Sequence, residues 1–182
     1  MATEEQTNTG IEMVDLRAGG ASRAGQRLTI TNRIVTKLSF PLKKNGLPTG
    51  NVTFAIRKVS DNSLLNSKLW GNASGLTTSL VWYEVTFDSP ILINEEVRIF
   101  VEVTGGNASN NVGYYATTTS VKPSECFTVY VSSWTDYGSG ETNYDGAYIY
   151  TYTTSVVKQA HYCIGNDTAL ALEDAKQDPA GP

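Results

Sequence analysis

The residues whose types and spacing could do chemistry lie in the C-terminal third of the chain. Trp134-Thr-Asp-Tyr137 sets two aromatic rings around an acid, and Asn143, Tyr144, Asp145 and Tyr148 follow shortly after. Aromatic rings stack on the apolar faces of pyranose rings, while Asp136, Asn143 and Asp145 would accept bonds from sugar hydroxyls, so this cluster is a candidate glycan-binding face. The same residues have a plainer use. Aromatics are favoured in strands and at subunit contacts, so these rings could equally cover the open end of a β fold or pack on a neighbouring copy. Asp136, Glu141, Asn143 and Asp145 also make a weak calcium set, with hard oxygen donors but no EF-hand spacing. Ordinary turns use these residue types as well.

Catalysis finds less support. A glycosidase needs two carboxylates facing each other, about 5 Å or about 6.5–9.5 Å apart. Glu84, Asp88, Glu95, Glu96, Glu102, Glu125, Asp136, Glu141 and Asp145 supply the inventory. Glu84 and Glu102, however, fall at positions that strand alternation already assigns to solvent. Nucleophilic chemistry is poorer still, with His161 the only histidine and no Gly-x-Ser-x-Gly turn. The expectation is a protein that is not an enzyme and uses no cofactor. The two cysteines, Cys126 and Cys163, form no metal-binding pattern, and His161 near Cys163 leaves a zinc ion short of ligands. They read as buried structural thiols, Cys126 on one strand face with Thr128 and Tyr130, opposite Phe127 and Val129.

Composition narrows the partners. The 182 residues carry a net charge of −4, with 18% charged and 40% hydrophobic residues. Arg17, Arg23, Arg27, Arg33 and Lys37 are spread too thinly for the concentrated basic face that phosphate binding needs, so no nucleic-acid partner is expected. No run is long or apolar enough to span a membrane, and the polar start Met1-Ala-Thr-Glu-Glu-Gln-Thr-Asn-Thr-Gly10 has no apolar core, so neither a membrane nor a signal peptide is expected.

The elements that must position these residues are strands. Asn51-Val-Thr-Phe-Ala-Ile-Arg-Lys-Val59, Trp82-Tyr-Glu-Val-Thr-Phe87 and Val97-Arg-Ile-Phe-Val-Glu-Val103 alternate, and Gly, Pro, Asn or Ser bounds each run. Gly46, Pro48 and Gly50 open a turn, and Ser89-Pro90 marks a bend. Arg27-Leu-Thr-Ile-Thr31 and Ile34-Val-Thr-Lys-Leu-Ser-Phe-Pro-Leu42 are split at Asn32, which tolerates turn geometry. In the second of these, Ile34, Thr36, Leu38, Phe40 and Leu42 should share the core face, with Val35, Lys37, Ser39 and Pro41 on the other. Residues 1–26 read as an N-terminal arm, 27–157 as one antiparallel jelly-roll β-sandwich, and 158–182 as a polar C-terminal tail in which Thr168–Lys176 looks helical. Removing residues 1–26 or 177–182 should leave the sandwich folded.

The order Leu47-Pro-Thr-Gly50, Val52-Thr-Phe-Ala-Ile56, Leu76-Thr-Thr-Ser79, Trp82–Phe87, Ser89-Pro-Ile91 and Val97-Arg-Ile-Phe-Val101, closing on Asp145-Gly-Ala-Tyr-Ile-Tyr150, resembles the jelly-roll modules of secreted microbial proteins and phage virion proteins. The likeness covers roughly residues 27 to 155 and rests on the order of turns and strands. It implies a non-enzymatic structural component of a virus particle or similar extracellular assembly: a capsid decoration, spike or fibre protein at the virion or extracellular surface. Its partners would be other copies of itself or a capsid or fibre protein, with a glycan as a further ligand. The alternative is a carbohydrate-binding module of a surface or secreted protein.

Overall fold

The computed structural model describes residues 1–138 and 144–154. The strands are β1 (Ala2–Gln6), β2 (Ile11–Leu16), β3 (Arg23–Asn45), β4 (Asn51–Lys58), β5 (Leu64–Asn72), β6 (Val81–Val103), β7 (Asn111–Thr117), β8 (Cys126–Tyr130), β9 (Trp134–Tyr137), β10 (Asp145–Gly146) and β11 (Tyr148–Thr154), with one 3-10 turn at Ala73–Gly75. All belong to one eleven-stranded sheet, and every strand pairing in it is antiparallel.

The spine is the pair β3 and β6, hydrogen-bonded from Arg23↔Glu102 to Leu42↔Val81. Both strands break register near their middles, between Ile30 and Arg33 and again between Val35 and Lys37. Asn32 sits in the first break at φ 50°, a left-handed conformation that Asn adopts more readily than most residues. The Ser89-Pro90 stretch of β6 lies opposite the second break, where Pro costs no ladder bond. Extra residues in a ladder bend and twist it, and here they fold the ribbon onto itself. Ala24 and Phe40 would stand roughly 50 Å apart on a straight strand. Yet Ala24 shares a pairing row with Val101 and Phe54, and the Phe54 ring meets Phe40 edge-on at 5.0 Å between centroids.

The result is a β-sandwich. One layer carries β5, β4, the second half of β6, the first half of β3, β8 and β9; the other carries the first half of β6, the second half of β3, β11 and β1, with β7, β2 and β10 at its end. Between them lie Leu28, Leu38, Phe40, Leu42, Phe54, Ile56, Val97, Ile99, Val101, Tyr114 and Phe127, all essentially without exposure.

Two expectations need correction. The bulge at Thr36 inverts the alternation upstream of it, so Val35 is fully buried in the core while Ile34 is half-buried; Leu38, Phe40 and Leu42 face inward as alternation requires. The N-terminal 26 residues are not an arm. β1 pairs with β11, β2 pairs with β7, and β3 already begins at Arg23, with Leu16 and Ala24 fully buried. Gln6 anchors this segment from inside, its amide donating to the carbonyls of Asp145 and Gly146. The Thr168–Lys176 helix, the 158–182 tail, His161 and Cys163 lie outside the described residues.

Candidate functional site

The aromatic and acidic residues of the C-terminal third divide between the outer face of the β9 layer and the interior between the two layers. β9 pairs with β8 through Trp134↔Tyr130, Thr135↔Val129, Asp136↔Thr128 and Tyr137↔Phe127. Alternation sends Trp134 and Asp136 outward and Tyr137 inward, where it meets Phe127 and stacks on Tyr144 with centroids 5.9 Å apart. Tyr148 is fully buried in the core and Asp145 is equally inaccessible. The expected glycan face of Trp134, Asp136, Tyr137, Asn143, Tyr144, Asp145 and Tyr148 is therefore not one surface: Trp134 and Asp136 are its outward-facing members, and Asn143 lies outside the described residues.

The inward group is a clasp. Asp145 Oδ1 accepts from Gln26 Nε2 at 2.8 Å, and Oδ2 accepts the backbone N–H groups of Val121 and Lys122 at 2.7 and 2.8 Å. Gln26 Oε1 in turn accepts from the Gly146 N–H at 2.7 Å. Tyr148 donates to Glu125 Oε2 at 2.6 Å, and burial pushes both the Tyr148 phenol and the Glu125 carboxyl up. The clasp ties the segment after β7 to β3 and β10.

The outward group is ionic. Asp136 Oδ2 binds Arg27 and Arg98, each at 2.8 Å, and its Oδ1 accepts the Thr128 hydroxyl at 2.6 Å. Burial works to raise the Asp136 carboxyl, but the bonds from Arg98, Thr128 and Arg27 outweigh it and hold it below the usual carboxylate range. Arg27 also grips Glu96 with two bonds, at 2.7 and 2.9 Å, and its guanidinium is held firmly charged, the Glu96 bond contributing most. A cleft of about 290 Å³ opens beside them, lined by Arg27, Glu96, Glu125, Cys126 and Asp136. The Cys126 thiol is pushed up to about 11, by burial first and then by the nearby Asp136 charge.

These contacts also correct the calcium reading. Asp136 faces outward among guanidinium groups and Asp145 faces inward among N–H donors, so one cation could not take both carboxylates. Glu141 and Asn143 lie outside the described residues. Among the described residues no group of three or more His, Cys, Asp or Glu is placed to hold a metal ion, and no helix is long and apolar enough to cross a membrane.

Above the ionic cluster the layer curls. Trp134 is three strands from β6, about 14 Å in a flat sheet, yet its ring stands edge-on to Phe100 at 5.2 Å between centroids. It also contacts Tyr130 at 5.3 Å, and its indole N–H crosses to Asn62 Oδ1 in the β4–β5 turn at 2.9 Å. Arg98 lies 5.1 Å from the Trp134 centroid and Arg23 4.5 Å from that of Tyr130, both within cation–π range. Phe100, on the outer side of its strand, is fully buried under this cover.

Sequence reasoning did not assign Arg98, Thr128, Tyr130, Arg57 or Asn62 to a site. Their alternation was visible; which strands bring them side by side was not. Arg23, Arg27, Arg33 and Lys37, too thinly spread in the sequence for a phosphate-binding face, each hold a carboxylate partner: Glu102, Glu96 with Asp136, Glu4 and Glu84. No protein-family model matches the chain, and no curated protein is significantly similar to it.

Proposed function

We propose that this chain is a non-catalytic structural component of a virus particle or comparable extracellular assembly: a decoration, spike or fibre protein built on one jelly-roll module whose principal partners are further copies of itself. The observation that carries this reading is the seam between β5 and the first half of β6. Among the described strands β5 pairs only with β4, which leaves its other edge open. Trp70 against Tyr83, Lys68 with Asp88, and Asn66 with Ser89 set the two strands side by side. On β5 itself Leu64 and Leu69 are exposed. A single exposed Leu is ordinary, but two on a strand whose edge is open are what an association surface offers. The β1 edge, by contrast, carries Glu4 and Glu5, and edge charges discourage pairing. Sedimentation velocity on the full chain over rising concentration should reveal self-association, weakened in the Leu64→Lys, Leu69→Lys double variant. A monomer at every concentration overturns the reading.

A second reading, a carbohydrate-binding module, is favoured by the half-buried rings of Trp134 and Tyr130 on the outer face, with Arg23 against Tyr130. Glycan-array binding by the wild type that disappears in Trp134→Ala supports it; an array without hits, or hits that survive the substitution, removes it.

A further inference from the structure

On the outer face of β4, β6 and β3 three arginines stand in one row: Arg57 opposite Arg98, and Arg98 opposite Arg27. Like charges directly opposite on adjacent strands repel, so a row of this kind needs anions. Arg27 has Glu96 and Asp136, and Arg98 has Asp136 and the Thr128 hydroxyl. Arg57 has no carboxylate among the ion pairs of the described residues. Its Nη1 donates to the Asn62 carbonyl at 2.7 Å, while its Nε is buried with no hydrogen-bond partner. A buried donor left unpaired is costly, and it is the one such side-chain atom among the described residues. Across this face Arg23, Arg27, Arg57 and Arg98 meet only Glu96, Glu102 and Asp136, so the positive excess falls at Arg57, although the chain as a whole is acidic.

Asn62 joins this vacancy to the aromatic cover. Its carbonyl takes Arg57 and its side-chain oxygen takes the Trp134 indole, whose ring also lies against Arg98. We propose that Arg57, Arg98 and Trp134 form a binding site for an acidic pyranose, a sugar carrying a ring carboxylate. When the turn carrying Asn62 swings away, it releases both Arg57 Nη1 and the Trp134 indole, so that the uncovered Arg57 fork receives the carboxylate and the Trp134 ring stacks on the sugar face. Guanidinium and carboxylate match as paired donors and acceptors, and stacking on an indole suits a pyranose. The inference rests on the carbohydrate-binding reading and adds the charge of the ligand.

The test is calorimetric titration of the full chain with trigalacturonate and with its fully methyl-esterified form, which keeps the ring scaffold and removes the charge. The wild type should bind the acid at least tenfold more tightly than the ester. Arg57→Gln should erase that ratio, Arg57→Lys should keep part of it, and Trp134→Ala should weaken both ligands; circular dichroism confirms that each variant is folded. Equal binding of acid and ester, lost in Trp134→Ala, overturns the acidic-sugar inference and leaves the carbohydrate-binding reading standing. An acid preference untouched by Arg57→Gln also overturns it. Binding of neither ligand, or binding indifferent to Trp134→Ala, overturns the inference at its root.

Discussion

Gln26 and Asp145 hold each other in the interior through a 2.8 Å amide-to-carboxylate bond, and neither side chain is exposed at all. Asp145→Ala would leave the Gln26 amide only a long 3.4 Å bond to Glu125 Oε2, and the part-buried N–H groups of Val121 and Lys122 without their acceptor. A buried donor that loses its acceptor costs about 1–3 kcal/mol, and a loss in that range is expected in urea unfolding. Hydrogen exchange at Val121 and Lys122 should quicken more than at Phe40.

Asp136→Asn should destabilise by about 2–3 kcal/mol at neutral pH. That is less than a fully buried pair would lose, because the Asp136 side chain is 21% exposed. The pH dependence follows from the depressed carboxyl. The stabilisation is fully present above the unfolded-state value near 4 and is lost as pH falls through the lower folded value, because the proton then binds the unfolded chain first. Unfolding free energies of wild type and variant should therefore converge toward low pH.

Glu125 has the opposite sign. Burial raises its carboxyl above the ordinary range against the opposing bond from Tyr148, so the folded state favours the proton. Its contribution is most favourable below the unfolded-state value near 4.3 and declines as pH rises through the folded value. Glu125→Gln should equal or exceed wild-type stability at pH 7 and match it near pH 3. A variant clearly weaker than wild type at pH 7 contradicts this account.

Gly25 crosses the spine where no side chain fits. A Cβ there would stand 1.9 Å from the Ile99 carbonyl oxygen and 2.6 Å from the Phe100 Cα. Backbone on both sides cannot yield cheaply, so Gly25→Ala should fail to give a folded protein, judged by soluble yield and circular dichroism. Truncating Phe40, which meets Phe54 and Tyr114, should instead leave a folded chain about 3–5 kcal/mol weaker.

Cys126 should alkylate slowly in the native protein at pH 8 and at the rate of a free thiol after unfolding, because the thiolate is disfavoured by burial and by the neighbouring Asp136 charge. Mass mapping of the Cys126 peptide reads both rates.

Local pattern made much of the architecture legible. Alternation in Cys126–Tyr130 sets Phe127 and Val129 on one face and Cys126, Thr128 and Tyr130 on the other; Phe127 and Val129 join the core cluster, and Cys126 is buried on the opposite face beside Thr128. Asn32 and Ser89-Pro90 were visible as interruptions. The sequence does not say that they sit near each other across one ladder and so fold a continuous ribbon, rather than ending one strand and starting the next. The inversion at Ile34 and Val35 is equally hidden, since a bulge is fixed by what the partner strand does. The candidate site was legible only in part, for the same reason. Trp134 and Asp136 stand out by type, but the arginine row exists only through register, and the burial of Asp145 depends on a segment more than twenty residues upstream in the chain folding over it. A cluster read as one surface along the sequence was thus divided by the pleat of β9 and by the crossing of the chain to the other layer at β10 and β11.

The pairing of β1 with β11 joins residues 2–6 to residues 148–152. On a ribosome that emits the amino end first, β1 therefore waits for nearly the whole described chain before its partner appears. β11 must also arrive before that edge of the second half of β3 is closed. The second layer is completed only once residues 148–154 have emerged, and until then the nascent chain carries an open sheet edge that favours contact with chaperones or with neighbouring nascent copies.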